Sequence, residues 1–167
     1  MKKFELTSET KLHFGRILYR IRALVAFGDV EAGELGGWVE KEGNLDHDGN
    51  AWVSGDAWVS GNARVSGDAR VYGNARVYGD ARVSGDAEVS GDGAIFWIGG
   101  IGSRNGTTTF FNCKDGLVRV VCGCFFGTLD EFAEKVKKTH GDNEHAKVYM
   151  LAVEMAKVRI KTQAEDG

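Results

Sequence analysis

Arg70 and Arg76 each stand two residues before a tyrosine, Tyr72 and Tyr78, and Trp52 and Trp58 occupy the arginine position in two earlier units of the same six-residue period. A guanidinium beside an aromatic ring offers charge-assisted bonds and a stacking plane, which suits an anionic ligand that carries a base. His47 is the one histidine that the sequence places close to these units, where an imidazole could serve as a general base. His13, His140 and His145 fall in the flanking stretches. Cys122 and Cys124 share one side of a strand and Cys113 is expected to neighbour them across a hairpin, so with His140 they form a candidate metal set. Three cysteines without a CxxC pair fit buried, reduced thiols better, and no metal or cofactor is expected. Arg104, in a glycine-rich stretch, completes the candidate binding residues. No phosphate loop, nucleophile elbow or paired carboxylates can be argued from spacing.

The elements that position these side chains come from a repeat. Seven six-residue units run without a gap from Ala51 to Asp92, each with a small residue, a valine, a glycine and an Asp or Asn at fixed places. Six steps along a helix scatter the valines around the axis, whereas six is a multiple of the strand period, so Val53 through Val89 and Ala51 through Ala87 share one inward side. Glycine followed by Asp or Asn is turn chemistry. Short strands at a fixed period wind a parallel solenoid. Stacking every third unit puts Trp52, Arg70 and Glu88 on one outer face, Trp58 and Arg76 on a second, and Arg64 and Arg82 on a third. Two of the faces are aromatic, the composition of an interface. Their aromatics are expected to bury against the terminal domains or a sister subunit, with a ligand or partner surface in a cleft between subunits as the alternative. A calcium-binding β-roll is disfavoured, because its period is nine and Asn62 and Asn74 replace aspartate here. Four arginines face six acidic residues within the units, which argues against direct nucleic-acid binding.

These units resemble the hexapeptide-repeat proteins. The resemblance implies a left-handed parallel β-helix of triangular section with three units per coil, and homotrimers whose flat faces pack together. The Gly36-Gly37-Trp38-Val39-Glu40 entry is similar to that of hexapeptide-repeat proteins carried by bacteriophages and prophages and labelled as transferases. The stretches Thr107–Phe111, Cys122–Phe125 and Gly127–Phe132 look like a module attached to many of the same proteins. On this resemblance the expected function is non-enzymatic binding, interfering with bacterial immunity by sequestering a nucleotide-like signal or blocking a defence protein. The alternatives are a hexapeptide acyltransferase that uses acyl-CoA, with His47 as its base, and a structural phage component.

The flanks complete a mainly β fold class: an N-terminal β cap over residues 1–38, the helix of coils over 39–98 and a C-terminal ββαα module over 99–167. In the cap, Arg16–Ala23 alternates, with Ile17, Tyr19, Ile21 and Ala23 expected on the buried side. Val39 and Leu45 keep the six-residue register, and two extra residues before Val53 bulge the corner at Asp46-His47-Asp48. After Asp92, Ala94-Ile95 keeps register once more, and Gly99–Gly106 reads as an exit loop. Lys114-Asp115-Gly116 joins two strands. Thr128-Leu129-Asp130-Glu131 is a capping box that opens a helix ended by Gly141. A second helix over Glu144–Lys161 lines up Val148, Leu151, Ala152, Met155 and Val158. With 43% hydrophobic residues, a formal net charge of −3 and no apolar run of membrane length, a cytoplasmic protein is expected.

Overall fold

In the computed structural model, which describes residues 1–160, the valine and alanine of every six-residue unit are at most 1% exposed. Seven two-residue strands follow the period: β4 (Trp52–Val53), β5 (Trp58–Val59), β6 (Arg64–Val65), β7 (Arg70–Val71), β8 (Arg76–Val77), β9 (Arg82–Val83) and β10 (Glu88–Val89). Together with an earlier strand, β3 (Leu35–Val39), they form three parallel ladders: β4 with β7 and β10, β3 with β5 and β8, and β6 with β9. Val53 aligns with Val71 and Val71 with Val89, 18 residues apart each time. Each coil thus hands its backbone donors to the next, as in Trp52 N–H to Ala69 C=O at 3.0 Å and Tyr72 N–H to Val89 C=O at 2.9 Å. Outward side chains stack in the expected columns, Trp52 on Arg70 on Glu88, Trp58 on Arg76, and Arg64 on Arg82.

Before the first coil the offset changes. Val39 aligns with Val59 and Leu45 bridges Val65, each 20 residues apart, so the two extra residues lie between Leu45 and Val53, at the corner that carries His47. The boundary expected after residue 38 falls inside β3. Two antiparallel strands, β1 (Phe4–His13) and β2 (Arg16–Ala23), extend the β3 ladder. The expected facing of β2 is corrected: Leu18, Ile21 and Ala23 are buried, and Ile17 is exposed. The pairing register shifts between Arg20 and Arg22 on one side and between Leu6 and Thr10 on the other, and such a slip exchanges the two faces of a strand partway along it.

The first coil has open carbonyls on its outer edge, and side chains satisfy them. The buried Asn44 amide donates to Gly61 C=O at 3.1 Å and Ala63 C=O at 2.9 Å. The buried Lys3 Nζ donates to Ala51 C=O at 2.7 Å and Gly49 C=O at 3.3 Å, and lies 4.6 Å from the Phe27 ring centre. Burial lowers the Lys3 ammonium from 10.5 to about 8, against the pull of Asp46, Asp48 and Asp68. Between those two pH values the unfolded chain holds the proton and the folded chain sheds it, so folding stability from this group rises with pH across the window, by up to about 3 kcal/mol. Denaturant titrations at pH 7.5 and at the upper end of the window should show this gain, and Lys3→Met should remove it. A slope unchanged in Lys3→Met would assign the gain to other groups.

The chain divides into two compact units, Met1–Asp92 and Gly93 onward. The second holds a four-stranded antiparallel sheet, β11 (Ile95–Ile101), β12 (Gly106–Asn112), β13 (Val118–Cys122) and β14 (Phe125–Thr128), then α1 (Leu129–His140) and α2 (Glu144–Arg159). The ββαα expectation is therefore corrected to four strands and two helices. Ile95–Ile98, expected to end the coils, pairs instead with Thr108–Phe111. Gly99 and Gly100, read as loop, lie within β11, because the apolar Ile95–Ile98 run finds an antiparallel partner in the Thr-Phe strand. The Thr128 capping box is present and Gly141 ends α1 at φ 66°. Of the apolar stripe expected on α2, Ala152 is buried and Val148 packs against the core, but the rest is corrected. Ala146, Tyr149, Ala152, Val153 and Ala156 face the core, while Leu151, Met155 and Val158 are exposed. The expected last position of α2, Lys161, lies outside the described residues. Among the described residues no helix is long and apolar enough to cross a membrane.

Candidate functional site

The N-terminal unit contains an open cleft of about 590 Å³ beside the β5–β8 ladder. Trp58 and Tyr78 form one wall, with ring centres 5.8 Å apart and planes at 28°. They meet because Trp58 is the outward residue of one unit and Tyr78 follows the valine of the unit stacked beneath it. His13 packs on Trp58 at 4.7 Å and on Phe14 at 4.6 Å, and its Nε2 is buried without a hydrogen-bond partner. Phe14 and Gly15 turn the β1–β2 hairpin at positive φ, which brings the ring of Phe14 to the rim. The floor is polar: Ser60, Gly61, Asn62, Gly79 and Asp80, with Asn62 Nδ2 donating to Asp80 Oδ1 at 3.2 Å.

Two guanidiniums line the same space. Arg16 Nη1 donates to both Glu40 carboxylate oxygens at 2.8 Å, and that bond leads the effects holding the Glu40 carboxyl below its ordinary range. Arg76 donates from Nε at 3.0 Å and from Nη2 at 2.5 Å to Asp92 Oδ2. Both planes are thereby fixed, and each guanidinium keeps further N–H groups for a ligand. Aromatic surface, fixed cationic donors and a small-residue floor in one concavity make a binding site for a planar, anionic molecule.

Of the residues singled out in the sequence, Trp58, Arg76 and Tyr78 come together here. The others do not. Trp52 is only 3% exposed, enclosed where Gly36 admits it and Phe27 meets its edge at 5.3 Å. The segment between β2 and β3 folds over it, which is burial against a terminal segment, and Trp52 offers no stacking plane to a ligand. Arg70 and Tyr72 belong to the β4–β7–β10 ladder. Arg70 is bonded to Asp29. Burial, and then the Glu88 carboxylate, push the Tyr72 phenol above its ordinary value. Arg104 lies in the exposed turn between β11 and β12 of the C-terminal unit.

His47 is held as a structural side chain. Its Nδ1 accepts the Lys3 backbone N–H at 3.0 Å, which leaves the proton on Nε2, 3.1 Å from Glu42 Oε1. The ring stacks on Phe4 at 4.4 Å. Its only lone pair is thus committed to the backbone, so it is not poised as a general base. The histidine that does face the coils is His13, expected from its position in the sequence to stay in the flank. The signal is the Phe14-Gly15 pair just ahead of the alternating Arg16–Ala23 run, a hairpin tip that sets His13 opposite Arg16. Cys113 and Cys122 sit at opposite ends of the β12–β13 pair, since Asn112 faces Val118 and Thr108 faces Cys122. Five residue steps of strand separate them, about 17 Å, so Cys113 does not neighbour Cys122 and Cys124.

The parallel ladders at six-residue spacing define the N-terminal unit as a β-solenoid. In agreement, residues 57–73, 63–79, 69–85 and 75–91 are similar to the YdcK beta solenoid repeat family. A comparison with curated protein sequences gives no match.

Proposed function

We propose that the protein acts by binding, without catalysis, an anionic small molecule that carries a planar ring, a nucleotide-like ligand, in the Trp58–Tyr78 cleft. The observation that carries this reading is the convergence of two stacked aromatic rings and two anchored guanidiniums on one cavity of ligand size. Rings 5.8 Å apart already touch, so the ligand base stacks on the outer face of Tyr78 rather than between the rings. Arg16 and Arg76 take the anionic group, and the Asn62–Asp80 pair meets polar edges of the base. The resemblance to hexapeptide-repeat proteins extends the proposal to a left-handed coil, a homotrimer and a phage-borne protein that sequesters a nucleotide signal of bacterial immunity in the host cytoplasm. The commitment of His47 to Lys3 and Glu42 supports binding over acyl transfer.

Titration calorimetry with adenosine monophosphate and with a cyclic dinucleotide tests the cleft. At least one should bind, and Tyr78→Ala and Arg76→Ala should each weaken it about tenfold or more, roughly 1.4 kcal/mol. Arg70→Ala should leave affinity unchanged. Absence of binding by both probes, or equal weakening by Arg70→Ala, overturns the assignment.

A further inference from the structure

We infer that the outward face of α2 is a self-association seam that pairs with α2 of a second copy of this chain in parallel. Val148, Leu151, Met155 and Val158 recur at steps of three, four and three, the a and d positions of two heptads. The core of the unit uses the opposite side of the helix, through Ala146, Tyr149, Ala152, Val153 and Ala156. Leu151 is 65%, Val158 75% and Met155 49% exposed. Val148 is half-buried against the core at the start of the stripe, and the heptad-spaced run that follows it, Leu151, Met155 and Val158, which its own domain leaves uncovered, is shaped for another helix.

Charge selects the occupant and its direction. In this frame Lys147 and Glu154 take g positions and Arg159 takes an e position. Parallel pairing places Glu154 of one helix opposite Arg159 of the second copy, and cyclic symmetry repeats the attraction at every helix–helix contact. Antiparallel pairing that layers Val148 on Val158 and Leu151 on Met155 sets Glu154 against Glu154 of the second copy, which repels. Within the chain Glu154 meets Lys157 at 3.3 Å on the exposed surface, an arrangement that leaves its second oxygen for Arg159 of the neighbour. Two heptads are fewer than a lasting coiled coil needs, so the seam assembles at micromolar concentration and separates on dilution. It lies in the C-terminal unit and shares no residue with the ligand cleft.

Sedimentation of the full chain up to about 100 µM should show a reversible oligomer. Leu151→Glu with Val158→Glu should give a monomer of unchanged helix content, since both side chains point to solvent in the single chain. Glu154→Arg and Arg159→Glu should each weaken association about tenfold, and the two together should restore it. In a Cys124→Ser background, Leu151→Cys should form an intermolecular disulfide, as only parallel pairing brings position 151 onto itself in this register. A wild-type monomer at the highest concentration overturns the seam, as does an oligomer that survives the double glutamate variant. Failure of the charge swap to restore association, or failure of Leu151→Cys to cross-link, overturns the parallel direction.

Discussion

Val71→Asp is expected to abolish cooperative unfolding of the solenoid. Val71 is fully enclosed, with Val53 on one side of it and Val89 on the other in the same ladder. A carboxylate there loses the valine contacts and leaves a charge without a partner among alanines and valines, because every backbone donor nearby already serves the next coil. The combined penalty is on the order of 5 kcal/mol, comparable with the whole stability of a domain this size. The effect should spread beyond one coil, since each coil of a solenoid is stabilised only by its neighbours. Urea unfolding followed by circular dichroism measures it, with Leu117→Asp as the control, because Leu117 is exposed and should shift stability by less than about 0.5 kcal/mol. A Val71→Asp protein that unfolds cooperatively near the wild-type midpoint would remove the stacked-valine account of the core.

Why Val71 could be placed from sequence, and Trp52 could not, has a physical reason. The period fixes which side chains point inward and which coil lies above which, since both follow from backbone geometry repeated seven times. The same counting located the two-residue insertion at the His47 corner. It says nothing about what covers an outward side chain. Trp52 and Trp58 occupy equivalent places in successive units, yet Phe27 and the Gly36 approach bury the first, while the second opens into a cleft. That difference arises in the N-terminal segment, where the stretch between β2 and β3 covers Trp52 while the β1–β2 hairpin tip only borders Trp58, and no period governs either. The error on α2 is of another kind. The helix is apolar on two sides, and periodicity does not say which is covered: Ala146, Ala152 and Ala156 allow close approach to the sheet and are buried with Tyr149 and Val153, while the larger Leu151 and Met155 are exposed. Of the cleft, Trp58, Arg76 and Tyr78 are legible from the repeat. His13, Phe14 and Arg16 are not, because their approach depends on a hairpin whose first strand carries little hydrophobic pattern.

Gly73→Ala is expected to cost more than a positive φ alone can explain. Gly73 sits at a corner with φ of 64°, and a Cβ built on it would lie 2.4 Å from the Ser90 carbonyl oxygen in the coil stacked beside it. That oxygen belongs to the backbone and cannot swing aside without disturbing the adjacent bond from Tyr72 N–H to Val89 C=O. Gly33 provides the comparison: its φ is 89°, and nothing lies within 4 Å of the same added atom. Both substitutions carry the left-handed penalty of about 1 kcal/mol. Only Gly73→Ala must also separate two coils, which adds roughly 2 kcal/mol through lost ladder bonds and looser valine packing. Denaturant midpoints of the two variants measured side by side should therefore differ by the stacking contribution alone. Equal losses would mean that neighbouring corners are farther apart than the ladder registers require, and that glycine is needed at these corners only for its backbone conformation.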